Sequence, residues 1–157
     1  MPDVAAPITE AAYIDAPRDA RIQALHDYWK ALRGSRAMPA RGDVDPTQIP
    51  SLLPNIVMYD VAASGGYKVR LVGEEVINFI GRNATGGPAG ESMPPRSAEM
   101  VAAILDAVVA DRAPKFRAGK AHWAPDKSYR DFEACFLPLS ADGESVNIVL
   151  CGISFPH

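Results

Sequence analysis

At 157 residues, with 48% hydrophobic and 22% charged residues, the chain has room for one good core and is short for two. A net charge of −3 gives no electrostatic reason to expect nucleic acid or an anionic membrane as partner. No apolar run approaches the ~18 residues of a membrane span. The start, MPDVAAPITEAAYIDAP, lacks the basic end and continuous apolar centre of a signal peptide, so a cytoplasmic protein is expected.

Residues 1–14 are rich in Ala and Pro and read as a flexible arm, with a single domain over residues 15–157. Asp15 is a candidate N-cap and Pro17 suits a first turn, which predicts a helix over residues 17–33. Ile22, Leu25, Trp29 and Leu32 make one apolar stripe along it, and Gly34 ends it. Residues 35–54 carry Pro39, Pro46, Pro50 and Pro54, so turns and at most a short helical piece are expected.

From Asn55 the period changes to that of strands. NIVMYDVA and YKVRLV are β-rich and flank Ala63-Ser64-Gly65-Gly66, a hairpin signal. GEEVINFI follows as a short helix closed by Gly81. After a Gly-rich loop, a long helix is expected near residues 95–112, with Met100, Val101, Ile104, Leu105, Val108 and Val109 on a wide stripe that must be buried. Strands are then expected at about residues 115–123, 130–139 and 145–155. Asp142-Gly143 suggests a two-residue turn between the last two. That register sets Leu139 opposite Val146, Leu137 opposite Ile148, Ala134 opposite Cys151 and Cys135 opposite Leu150. The two thiols then lie on opposite faces and stay free, whereas a three-residue turn would set them face to face.

Three stretches carry a family resemblance: HDYWKALRGSRAMPARGDVDPTQIPSLLPNIVMYDV (His26 to Val61), KVRLVGEEVINFIGRNATG (Lys68 to Gly86) and CFLPLSADGESVNIVLCGISF (Cys135 to Phe155). Together they resemble a family of stand-alone bacterial PAS domains that open with a Tyr-Trp helix and an Arg/Pro loop ending in Asp-Pro, over roughly residues 20–155. The resemblance implies an α+β fold with a five-stranded antiparallel sheet in the order 2-1-5-4-3. Its crossover helices cover one face and enclose a small pocket, and the N-terminal helix is an addition. It also implies a sensory or regulatory role. Outward strand positions are apolar too, so the N-terminal helix is expected to cover the second face, in cis or across a homodimer, through Ile22, Leu25, Trp29 and Leu32.

Chemical motifs are scarce. GRNATGGPAG (Gly81 to Gly90) lacks the GxxxxGK[ST] phosphate pattern, and no strand feeds it. Flavin-binding blue-light PAS domains carry a cysteine after Gly-Arg-Asn, whereas this chain has Gly81-Arg82-Asn83-Ala84, which excludes covalent flavin chemistry there. Haem-binding PAS domains place a histidine on the long crossover helix, and residues 95–112 contain none, so His-ligated haem is disfavoured. His26, His122 and His157 have no metal-ligand spacing, and no metal is expected. No nucleophile elbow is present, Glu74-Glu75 and Asp131/Glu133 occupy helix-start and strand positions, and no catalytic residue is assigned. Arg33, Arg36, Arg41, Asp43, Asp45, Asp60 and Arg70 read either as a network tying the 34–54 loop to the sheet edge or as a docking surface for a partner.

The expected function is therefore a regulatory domain that binds a small, mostly apolar ligand and signals through protein contacts. No effector is expected in cis, since the chain stops at His157 after the last strand. Val57, Tyr59, Phe79, Ile80, Met100, Ile104, Phe116, Phe136 and Val149 are the expected pocket, although the strand faces could be inverted. Two other readings stay open: a small α+β cone-fold enzyme using the same cavity, and an interaction module with a filled core.

Overall fold

Asp19, not Asp15, opens the first helix. Its carboxylate accepts from the backbone N–H groups of Arg21 and Ile22, and α1 runs Ala20–Arg33. The expected start at residue 17 is too early because Glu133 accepts the backbone N–H groups of Arg18 and Asp19 and ties that stretch to the sheet. Gly34, at φ 57°, closes the helix as anticipated. These features come from a computed structural model that describes residues 11–156 apart from Ser92 and Ser128. Residues 1–10, where most of the expected arm falls, and His157 lie outside the described residues. The last three residues of that arm, Ala12–Ile14, form strand β1.

Prolines break residues 35–54 into short 3-10 turns at Arg41–Asp43, Pro46–Gln48 and Leu53–Asn55. Then come β2 (Ile56–Val61) and β3 (Tyr67–Val72), joined by a turn in which Gly65 and Gly66 both have positive φ. Gly73 follows because nothing larger fits: a Cβ there would lie 2.4 Å from the carbonyl oxygens of Leu53 and Pro54. Helix α2 (Glu74–Ile80) ends at Gly81, and α3 spans Pro95–Asp111. The chain finishes with β4 (Lys115–Lys120), β5 (Asp131–Leu139) and β6 (Ile148–Ser154).

All six strands form one antiparallel sheet in the order β1-β4-β5-β6-β2-β3. Without β1 this is the five-strand order that the resemblance implies, so the fold is the expected one with an extra edge strand.

The face under α1 is filled. Ile22, Leu25 and Trp29 are each no more than 3% exposed, and Trp29 donates its indole N–H to the carbonyl of Pro138 at 2.9 Å. Burying each of these side chains contributes roughly 1.5–3 kcal/mol. Gly152 is small because a Cβ would meet Leu25 at 2.6 Å and the Cys135 sulfur at 3.3 Å. The stripe of Ile22, Leu25 and Trp29 is thus spent in cis, with Leu32 half-buried at its end. The homodimer expected through this stripe loses its physical basis.

The β5–β6 register also differs from expectation. Leu139 faces Ile148, Phe136 faces Cys151 and Cys135 faces Gly152. Asp142 does not sit in a two-residue turn. Its carboxylate accepts from the Glu144 and Ser145 backbone N–H groups and from the Ser140 hydroxyl, which organises a wider loop over residues 140–147. The shift is two residues, so face parity survives, and Cys135 and Cys151 remain free on opposite faces.

Candidate functional site

The second sheet face, under α2 and α3, is not filled. Alternation along the strands sends Val57 and Tyr59 of β2, Ala134 and Phe136 of β5, and Cys151 and Ile153 of β6 into a cavity of about 70 Å³. Val76 and Ile80 of α2 and Val101 and Ile104 of α3 close it from above. The loop between these helices supplies Arg82, Ala84 and Gly90, and it is held to β3 by hydrogen bonds from Gly86 N–H to the Val69 carbonyl and from Val69 N–H to the Gly87 carbonyl. Ala84, where flavin-binding relatives of the fold carry a thiol, presents a methyl group to the cavity.

Five of the nine expected pocket residues border this space: Val57, Tyr59, Ile80, Ile104 and Phe136. Four do not. Phe116 points to the opposite face, where its ring meets His26 edge-on at 4.9 Å, because β4 has its odd-numbered Arg117 on the cavity side. Met100 is 47% exposed and borders an outer groove instead. Phe79 stacks on Phe155 at 3.8 Å and packs beside Trp123 without reaching the void. Val149 is fully buried on β6 opposite Tyr59 without reaching the void. Reading by apolarity missed Arg117, Trp123, Ala134, Cys151 and Ile153. Only the β5–β6 register could have singled out the last three.

The outer groove, about 450 Å³, adjoins the cavity, and Val101, Arg117 and Trp123 border both. Arg96, Lys120 and His122 also line it. Lys120 pairs with Asp131 at 2.7 Å.

Burial decides the protonation states inside. It pushes the Tyr59 hydroxyl and the Cys151 thiol well above their ordinary values, and Cys135, on the packed face, is raised to about 12. All three stay neutral near pH 7, so the cavity wall offers no thiolate or phenolate nucleophile. Among the described residues no group of three His, Cys, Asp or Glu could hold a metal ion. No described helix is long and apolar enough to cross a membrane.

The ionic residues of the opening signature do not form one network. Arg36 pairs with Asp43 at 3.0 Å while Asp43 also accepts the Ala40 backbone N–H, and Asp45 caps the turn at Thr47. Arg70 and Asp60 pair separately across β2 and β3 at 2.9 Å.

Comparison with curated proteins and with solved structures gives no match. A family model described as PAS domain matches residues 18–153, most of the chain and, apart from Ser154 at the end of β6, all of the sheet except β1. With its five-strand core order and its helix-covered chamber, the chain belongs to the PAS-domain family, a family of sensory and regulatory domains.

Proposed function

We propose that the protein is a sensory domain whose cavity binds a small, mostly apolar ligand and which reports occupancy through protein contacts. The contrast between the two sheet faces carries this reading. One face is packed to the point where Gly152 has no room for a methyl group, while the other keeps a void lined by valines, isoleucines and aromatic rings. Tight packing is the rule in protein interiors, so a chamber kept open under two helices has a use.

The route outward is short. Cavity residues Ile80, Arg82, Ala84 and Gly90 belong to α2 and the loop after it, and Val101 and Ile104 to α3. A ligand touches these segments directly, so its binding energy can favour one arrangement of loop and α3 over another. PAS domains commonly act through such contacts with other proteins or with a second PAS domain. The α1 stripe is already buried, so the contact uses another surface, and α3, whose inner side lines the cavity, exposes Met100 on its outer side.

Native mass spectrometry of freshly purified protein, followed by fluorescence titration of Trp123 with small hydrocarbons such as toluene, tests the reading. A co-purified organic adduct or saturable quenching supports it. An unadorned chain that also ignores every such probe points instead to an interaction module without a ligand.

A further inference from the structure

Arg117 is the exception in an apolar wall. It lies on β4, is 7% exposed, and stands where the interior cavity meets the outer groove. Its Nη2 donates to the Ala11 carbonyl at 3.0 Å, and its guanidinium lies 5.6 Å from the centre of the Tyr13 ring. Strand β1 therefore holds this side chain in place, since Tyr13 is also its cross-strand neighbour.

What Arg117 lacks among the described residues is a counter-charge. Its buried Nε has no hydrogen-bond partner, and among the described residues no carboxylate pairs with it. Glu133, the buried acid next along β5, is on the other face, committed to the Arg18 and Asp19 N–H groups. Neither a carbonyl nor a ring face neutralises a guanidinium, which stays charged at any physiological pH. Burying an unpaired charge is costly, so a desolvated charge lining a cleft is a candidate binding group. Arg96 also lines the groove, and among the described residues no Asp or Glu does.

Resting on the ligand-binding reading above, we infer that the ligand is a small carboxylic acid whose carboxylate pairs with Arg117 while its apolar tail enters the cavity. A planar carboxylate matches the guanidinium fork with two parallel hydrogen bonds. A doubly charged phosphate would bring more desolvation than one buried guanidinium offsets. A void of about 70 Å³ admits roughly five water-sized groups, so the tail is short and branched or a single ring.

The test compares acids with their neutral isosteres on the intact chain: isovalerate with isovaleramide, cyclohexanecarboxylate with its amide, and benzoate with benzamide. Trp123 fluorescence and the thermal midpoint report binding, and Trp29, on the far face, is a constant background. At least one acid is expected to bind about tenfold or more tightly than its amide. Arg117→Gln should abolish that preference, and Arg117→Lys should retain part of it. Should either variant fail to fold, the wild-type comparison decides alone. Equal binding of acid and amide in all three pairs would overturn the carboxylate inference and leave a ligand-binding cavity standing. If acids, amides and toluene all fail to bind, the cavity reading falls with it.

Discussion

The two faces of this sheet are built from the same strands and nearly the same amino-acid types, yet one is solid and the other hollow. Under α1, Ile22, Leu25 and Cys135 crowd Gly152, a glycine that cannot be enlarged, and Trp29 is buried on the same helix stripe. Under α2 and α3, alternate residues of the same strands surround a void with a charged arginine at its rim. Apolar burial alone thus does not separate structure from site. The covering element does: a helix laid flat along β5 and β6 fills its face, whereas two helices joined by a glycine-rich loop arch over theirs.

Removing the anchor of the solid face should have the largest effect. Trp29→Ala deletes a buried ring and leaves the Pro138 carbonyl without its donor, and should cost about 3–5 kcal/mol in urea unfolding. Sedimentation should show the same oligomeric state for this variant and the wild type, because the stripe faces its own sheet. A variant that alters association without altering stability would return the stripe to the surface.

The thiols sharpen the comparison at high pH. Cys135 ionises at 9.0 when free and at about 12 when buried, so the folded state holds its proton longer than the unfolded chain. That stabilisation is complete below pH 9 and disappears as pH rises through 12. At ~1.4 kcal/mol per pH unit, Cys135 accounts for a loss of about 4 kcal/mol. Cys151 adds to it in the same direction. Cys135→Ala/Cys151→Ala should flatten the alkaline limb, and both thiols should resist alkylation until the protein is denatured. Rapid labelling of either one in the native state would contradict the burial argument.

Matched substitutions in β5 and β6 should then separate the faces. Gly152→Ala forces a methyl group against Leu25 and should cost about 1–3 kcal/mol. Ala134→Val adds volume into the cavity and should change stability by less than about 1.5 kcal/mol while weakening ligand binding. Reversal of that order would mean the hollow face is the tighter one.

Much of this was legible in the sequence. Element order, the five-strand core and the fate of both cysteines follow from periodicity, turn residues and the family resemblance. The misses have specific causes. Asp142-Gly143 reads as a tight turn, but Ser140 and Ser145 offer the aspartate a wider set of hydrogen bonds, which moves the register by two residues. Phe116 and Arg117 are adjacent, and an apolar-inside rule puts the phenylalanine in the pocket. The strand does the opposite, because His26 on α1 receives Phe116 and β1 holds Arg117. A buried arginine leaves no hydrophobic signature.

His26 gives the smallest expected effect. Burial, aided by Lys30, lowers its pKa below 6.5, so the folded state keeps it neutral while the unfolded chain takes up a proton. Its contribution is present above pH 6.5 and lost as pH falls through the lowered value, a slope that His26→Phe should remove from the acid limb of a stability profile.

The most direct test is a methyl-resolved NMR titration of the intact protein with isovalerate and isovaleramide. Shifts should be confined to Val57, Ile80, Val101 and Ile104 around the cavity, with the methyl groups of Ile22, Leu25 and Leu137 on the packed face unmoved. Shifts spread equally over both faces, or none with either compound at millimolar concentration, would contradict the division of the sheet into a structural face and a sensing face.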